Sequence, residues 1–351
     1  MKQPVSLINP RSVLPLALFA LALLTACDPL TSPSSQLDRS SEPVSSVQIE
    51  TSSANSACQI VTHVWGKTQL CQPIQTIIAL DPHALDLLLS LGIQPVGYAE
   101  DSRAMVSSPE AGQLVAGVKY LGERLTRPPV HVGTWQSPSL ETILRLNPDL
   151  ILSGYLDQSQ YNTFSKIAPT LLPIDQWISP KQWQDNLLTL GKILDRETKA
   201  QQVIDTYQQK VDTARTALQS VDARNVLLLS MTGLDYIGIF NNESFAGAIL
   251  EELGFELVVP HQLIASNGEI VISLETLPQL NPDLIIVMAS GDSSIEQVKQ
   301  VWADSPILRS LPTYQAKQVY FVDYQLWSRI QGAIAAELVV DQIGELLLNK
   351  R

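Results

Sequence analysis

Beyond residue 73 the chain alternates short, continuously apolar runs with longer stretches in which apolar residues return every three or four positions. The runs IIAL, PVGYA, DLILSG, LLPID, VLLLSM, LIIVMAS and VYFVD read as strands, and HALDLLLSLG as a helix. A strand that is apolar at consecutive positions has both faces covered, as in a parallel sheet between two layers of helices, so the pattern predicts an α/β fold. One segment occurs twice. SLETILRLNPDLIL, starting at Ser139, and SLETLPQLNPDLII, starting at Ser273, agree at ten of fourteen positions. A single duplicated pair is too few for a solenoid and predicts two similar lobes. In each copy a serine is placed to cap a short helix that ends at Asn-Pro-Asp, where an apolar strand begins.

Between the copies, Pro180 opens a stretch of helical composition with Leu187, Leu190, Leu194, Val203, Ile204, Tyr207 and Val211 at mixed spacings of three and four. It predicts one long helix of about 60 Å at 1.5 Å per residue, or a helix broken near Gly191. The expected organisation is an N-terminal lobe (residues 58–178), an interlobe helix (179–223) and a C-terminal lobe (224–351). These form two Rossmann-like lobes with central parallel sheets and a cleft between them. The N-terminal lobe begins with a small hairpin, in which Cys58 and Cys71 bracket β-branched residues around a turn at Trp65-Gly66-Lys67. His63 within it reads as a strand-face residue rather than a metal ligand. Leu253-Gly254-Phe255 marks a helix C-terminus before a strand.

The first residues follow another pattern. Lys2 and Arg11 precede an apolar run from Val13 to Leu24, the form of a secretory signal covering residues 1–26. Leu24-Thr25-Ala26-Cys27 resembles the bacterial lipobox, which implies cleavage before Cys27 and lipid on its sulfur, a stable anchor without a membrane-spanning helix. Residues 27–57 then form the anchor and a disordered leash. Ten Ser, two Thr and three Pro between Asp28 and Ala57 show no apolar periodicity to offset the entropy of ordering. An exported chain meets an oxidising compartment, which favours a Cys58–Cys71 disulfide over two free thiols.

Composition narrows the function. Lys plus Arg number 23 against 35 Asp plus Glu, a net charge of −12 with no dense basic run, which argues against nucleic acid as a partner. His63, His83, His131 and His261 are widely separated, so no metal site is expected and a receptor for a bare metal ion is disfavoured. Neither G-x-S-x-G, a phosphate-cradling glycine loop nor H-E-x-x-H occurs, so no enzyme is expected, and no cofactor.

The duplicated Ser-Leu-Glu-Thr…Asn-Pro-Asp-Leu and the segment Trp327-Ser328-Arg329-Ile330-Gln331-Gly332-Ala333-Ile334-Ala335-Ala336-Glu337-Leu338 resemble two motifs of the helical-backbone (class III) substrate-binding lipoproteins of ABC importers. The resemblance runs from about Pro73 to the end, departing at Ala333, where the family often has proline. It implies a monomeric, lipid-anchored receptor for a ferric siderophore, with cobalamin or haem as the alternative cargo, that delivers to a permease dimer driven by a cytoplasmic ATPase. A surface lipoprotein that keeps the scaffold without transport is the alternative from another class. Glu141 and Glu275 fall early in the two repeated helices, where a carboxylate favours the helix dipole by about 0.3 to 1 kcal/mol. The family resemblance adds a second role, salt bridges to arginines of the two permease subunits.

In open parallel sheets ligands collect beyond the carboxyl ends of the strands, which here face each other across the cleft. A bulky, oxygen-rich ferric chelate wants aromatic walls and a few cations. Arg103 and Arg329 are the candidate cations, and Trp135, Tyr155, Trp177, Tyr236 and Trp327 the candidate walls. Gly133-Thr134-Trp135-Gln136 is similar to a cleft-lining segment of cobalamin-binding relatives.

Overall fold

The computed structural model describes residues 48–51, 58–100, 110–115, 117–171, 182–260 and 268–348. The signal segment, Cys27, Arg103, Trp177 and Pro180 lie outside them.

Three short strands open the described chain: β1 (Gln48–Thr51), β2 (Cys58–His63) and β3 (Gly66–Cys71) form an antiparallel sheet. β1 falls inside the stretch read as a leash. Its pairing with β2, Ile49 opposite Val61, is supplied by a neighbour that local composition does not reveal. Cys58 and Cys71 lie opposite each other in the β2–β3 register and are joined by a disulfide. The turn sits one residue earlier than the pattern predicts, at Val64-Trp65, and Gly66 begins β3 with a φ of 133° that only glycine adopts readily.

The N-terminal lobe contains β4 (Ile77–Ala79), α1 (Pro82–Ser90), β5 (Gly97–Glu100), β6 (Val130–Thr134), β7 (Ser137–Pro138), α2 (Leu140–Leu146), β8 (Leu150–Leu152), α3 (Gln158–Phe164) and β9 (Thr170–Leu171). Its sheet order is β7-β6-β5-β4-β8-β9, parallel except for β7. A connecting pair follows, α4 (Gln182–Ile193) and α5 (Glu197–Leu218). The C-terminal lobe contains β10 (Asn225–Met231), β11 (Ile237–Phe240), α6 (Phe245–Glu252), β12 (Glu256–Leu257), β13 (Glu269–Ile272), β14 (Leu284–Ala289), α7 (Ile295–Asp304), α8 (Pro306–Ser310), α9 (Pro312–Gln315), β15 (Val319–Asp323) and α10 (Ala333–Leu348). Its sheet runs β13-β11-β10-β14-β15, with β12 also on β10. The β10–β14–β15 centre is parallel and the β11–β13 edge antiparallel.

The continuous apolar runs have the physical cause expected of them. In β4 and β8, Ile77, Ala79, Leu150 and Leu152 face one buried cluster while Ile78 and Ile151 face another. In β10 and β14, Val226, Leu228, Leu284, Ile286 and Met288 join that first cluster, and Leu227, Leu229, Ile285 and Val287 a third. One core is therefore shared by both lobes, and each lobe adds a layer of its own.

Two expectations need correction. Residues 182–218 do not form one helix: the chain turns at Leu194-Asp195-Arg196, where Asp195 takes a φ of 54°, and α5 folds back along α4. Trp183 near the start of α4 meets Tyr207 in the middle of α5 with ring centroids 5.0 Å apart. The break falls three residues past Gly191, which itself lies inside α4, where a Cβ would come within 2.8 Å of the Ala200 Cβ, so its lack of a side chain lets the two helices close. The second correction concerns the repeat. Ser139 caps α2, accepting from the Thr142 N–H at 3.3 Å, but the second copy, Leu274–Gln279, is a 3₁₀ segment. Pro278, which replaces Leu144, has no N–H to sustain an α-helical ladder.

Candidate functional site

The carboxyl ends of the central strands assemble a continuous lining. In the C-terminal lobe a cavity of about 340 Å³ is walled by Ser230 and Thr232 at the end of β10, Tyr236 before β11, Glu269 at the start of β13, Ser290 and Gly291 after β14, Tyr324 after β15, and Arg329. On the other side of Arg329 a smaller crevice is lined by Asp81 and Pro82 after β4, Trp135 between β6 and β7, and Tyr155 after β8. Arg329 belongs to both, and so stands where the lobes meet. Its guanidinium lies over the Tyr324 ring, 5.2 Å from the centroid, and its buried Nε has no hydrogen-bond partner. Among the described residues no carboxylate pairs with it.

Trp135 and Tyr155 approach each other with ring centroids 6.1 Å apart, and the Tyr155 hydroxyl donates to the Arg329 carbonyl at 3.2 Å, joining the lobes at the cleft. Tyr236 donates to Glu269 Oε1 at 2.8 Å. Burial, the Glu269 hydrogen bond and the Glu269 charge hold the Tyr236 phenol protonated well above its usual range, against a smaller opposing pull from Arg329.

Four of the predicted lining residues are therefore brought together: Trp135, Tyr155, Tyr236 and Arg329. Trp327 is not among them. It is 0% exposed within the shared core, its indole Nε1 donating to Gln342 Oε1 at 2.6 Å, because the π-helical turn Gln325–Arg329 directs Trp327 inward and Arg329 to the cleft. Arg103 and Trp177 lie outside the described residues. Sequence reading missed Ser230, Ser290 and Glu269. The available signal was their position at strand ends, and for Glu269 a lone carboxylate heading the apolar strand EIVI. Glu141 and Glu275 sit on exposed surface, Glu141 in an exposed ion pair with Arg145 at 2.9 Å.

Behind the cleft, buried polar groups lock the lobes together. Asp86 of α1 accepts from the N–H groups of Ile334 at 3.1 Å and Ala335 at 2.9 Å, capping α10 from another element, and from Ser90 Oγ at 3.0 Å. Burial raises its carboxyl to about 6, against the lowering effect of those donors. A Cβ on Gly332 would come within 2.2 Å of this carboxylate, so Gly332 is what lets it reach the helix end. His83 is held neutral, chiefly by burial. Its Nδ1–H donates to the Ile330 carbonyl at 3.2 Å, and Nε2 accepts from the Asn186 amide at 3.0 Å. At the rim of the lobes Lys119 and Tyr120 both bind Asp323 Oδ2, the Tyr120 hydroxyl at 2.7 Å. Among the described residues no group of three His, Cys, Asp or Glu is placed to hold a metal ion.

Two α/β lobes with aromatic and cationic strand ends facing across a cleft, and the packed helices α4 and α5 between them in the chain, define a solute-binding receptor. The chain belongs to the periplasmic binding protein family, whose model matches residues 77–326. It is 26% identical over 286 residues to the Fe(3+)-citrate-binding protein YfmC of Bacillus subtilis, covering 81% of this chain and 84% of the relative. The achromobactin-binding periplasmic protein of Dickeya dadantii is 26% identical over 290 residues, covering 80% and 90% of the two chains. In three dimensions the chain is similar to Staphylococcus aureus SirA, solved with staphyloferrin B. The TM-score is 0.65 at 24% identity, over 82% of this chain and 97% of that one.

Proposed function

We propose that this chain is the substrate-binding component of an ABC importer and captures a ferric siderophore in the cleft between its lobes, delivering it to a membrane permease. The observation that carries this is Arg329, a guanidinium without a carboxylate partner among the described residues, set among Trp135, Tyr155, Tyr236 and Tyr324. A cation flanked by aromatic faces suits an oxygen-rich metal chelate, which offers acceptors to the guanidinium and flat surface to the rings. The names of the relatives, which include receptors for ferric citrate and achromobactin, support the same cargo class. Capture and release need no bond-making step by the protein. The chain works outside the cytoplasm, held to the membrane through lipid on Cys27.

Titration of intrinsic tryptophan fluorescence tests this in the soluble chain from Asp28, which lacks the lipidated cysteine but keeps β1, with ferric hydroxamate, ferric citrate, ferric catecholate, cobalamin and haem as separate ligands. Saturable quenching by a ferric chelate, weakened at least tenfold by Arg329→Ala, is expected. Saturation by cobalamin or haem alone would transfer the chain to that cargo, and no saturation by any would refute the receptor function. Glu141 and Glu275, exposed on the two lobes, are the proposed permease contacts. Rim charges of this kind set encounter and orientation. Charge reversal of both should abolish chelate uptake by cells while leaving chelate affinity in solution unchanged; uptake that survives would remove them from that role.

A further inference from the structure

The cavity of the C-terminal lobe holds a carboxylate as well as a cation. Glu269 leaves the head of β13 and its side chain lies back across Gly238 on β11. Its Oε1 accepts from Tyr236 at 2.8 Å and from Ser230 Oγ at 3.2 Å, two residues that also line the cavity. A Cβ at Gly238 would come within 2.0 Å of that oxygen, so the glycine is needed for the carboxylate to lie there. Both of these bonds fall on Oε1; Oε2 has no donor among the described residues. The same wall therefore offers an unengaged carboxylate oxygen and, in Arg329, a guanidinium that forms no ion pair with a carboxylate among the described residues.

A dense polyanion would satisfy Arg329 and be repelled by Glu269, whereas a chelate with an acceptor edge and a cationic arm would satisfy both. Resting on the reading of the chain as a chelate receptor, we infer that Glu269 selects ferric chelates of low net charge that carry an ammonium arm, and discriminates against trianionic ones. An unpaired charge or a like-charge contact in a partly desolvated wall is how such a site rejects the wrong ligand. Tyr236, kept protonated, serves as the donor that holds the carboxylate in place.

The test compares three probes on the unmodified chain: ferrioxamine B, which has a pendant ammonium; its N-acetyl derivative, with the same iron core and no ammonium; and a ferric triscatecholate trianion. Ferrioxamine B should bind at least tenfold more tightly than the acetylated form, and the trianion more weakly than either. Glu269→Gln should bring the first ratio close to one and strengthen trianion binding, and Gly238→Ala, which displaces the carboxylate without removing it, should reduce the ratio. A ratio near one in the unmodified chain, or a ratio that Glu269→Gln leaves intact, overturns this inference while any saturable ferric-chelate binding preserves the receptor function. Absence of binding by every ferric chelate overturns both.

Discussion

Asp86 does the work of an N-cap from the wrong part of the chain. The first N–H groups of a helix need acceptors, and those of Ile334 and Ala335 find theirs in α1. Asp86→Ala should leave both donors buried and unpaired, costing roughly 1–3 kcal/mol for each group. Gly332→Ala should destabilise for the complementary reason, by displacing the carboxylate. Thermal unfolding of the two variants checks this, and a melting temperature unchanged in Asp86→Ala would show that the cap is dispensable. His63 makes a pH prediction. Its Nδ1 accepts from the Trp65 N–H at 3.4 Å, its Nε2–H donates to Thr68 Oγ1 at 2.8 Å, and burial lowers the imidazole to about 4. Between about 6.5 and 4 only the unfolded chain takes up this proton. The stability is therefore fully present above 6.5 and lost as the pH falls toward 4. The gap in melting temperature between wild type and His63→Gln should narrow over that range; a constant gap would mean His63 titrates normally. The strand-face reading of His63 was available from its alternating position, but the hydroxyl it meets was not.

At the level of elements, the duplicated Asn-Pro-Asp acquires a role that its sequence only hints at. Asp149 Oδ2 accepts from the N–H groups of Gln75 and Thr76, just before β4, each at 2.8 Å. Asp283 Oδ2 accepts from those of Arg224 and Asn225, at the start of β10, each also at 2.8 Å. Each aspartate thus clamps the first strand of its lobe beside the strand that follows the repeat. For Asp149 slight burial opposes ionisation but the bonds from Thr76 and Gln75 outweigh it; for Asp283 the bonds from Asn225 and Arg224 dominate. Both carboxyls lie below the ordinary value, so their contribution stands above that value and disappears as the pH falls through the depressed one. Asp149→Ala and Asp283→Ala should each cost about 1 kcal/mol at neutral pH, and the double variant close to the sum, because the sites are in different lobes. Denaturant titration measures this, and strong non-additivity would mean that the lobes unfold through a shared contact. The helix ends were less legible. Leu253-Gly254 ends α6 as its glycine indicates, with Gly254 at a φ of 91°. The break after α4 has no glycine at the turn itself; Asp195 takes the left-handed conformation there, and α5 packs back on α4.

For the whole molecule, what resists hinge motion is a set of packed contacts rather than one continuous helix. Tyr207 of α5 touches Trp183 of α4 and donates to Glu252 Oε2 at the end of α6 at 2.7 Å, and Lys210 of α5 pairs with Asp341 of α10 at 2.5 Å. Together with the Asp86 cap and the His83 bond to Ile330, these tie the lobes through the shared core, so closure is expected to be small. Solution scattering with and without a saturating ferric chelate should give nearly superimposable profiles; marked compaction would show that the lobes hinge freely. The alternation of apolar runs and the repeat determined the α/β class, the two lobes and the strands at whose ends the cleft forms, because burial of both sheet faces and the Asn-Pro-Asp stop are local constraints that sequence carries directly. Tertiary structure alone decided which residues meet. The shared core claimed Trp327 and turned Arg329 to the cleft, β2 drew residues 48–51 into a sheet, α4 and α5 folded into a hairpin, and Gly238 admitted Glu269 to the cavity wall. Each of these depends on contacts between residues far apart in the chain, whose geometry no local pattern encodes.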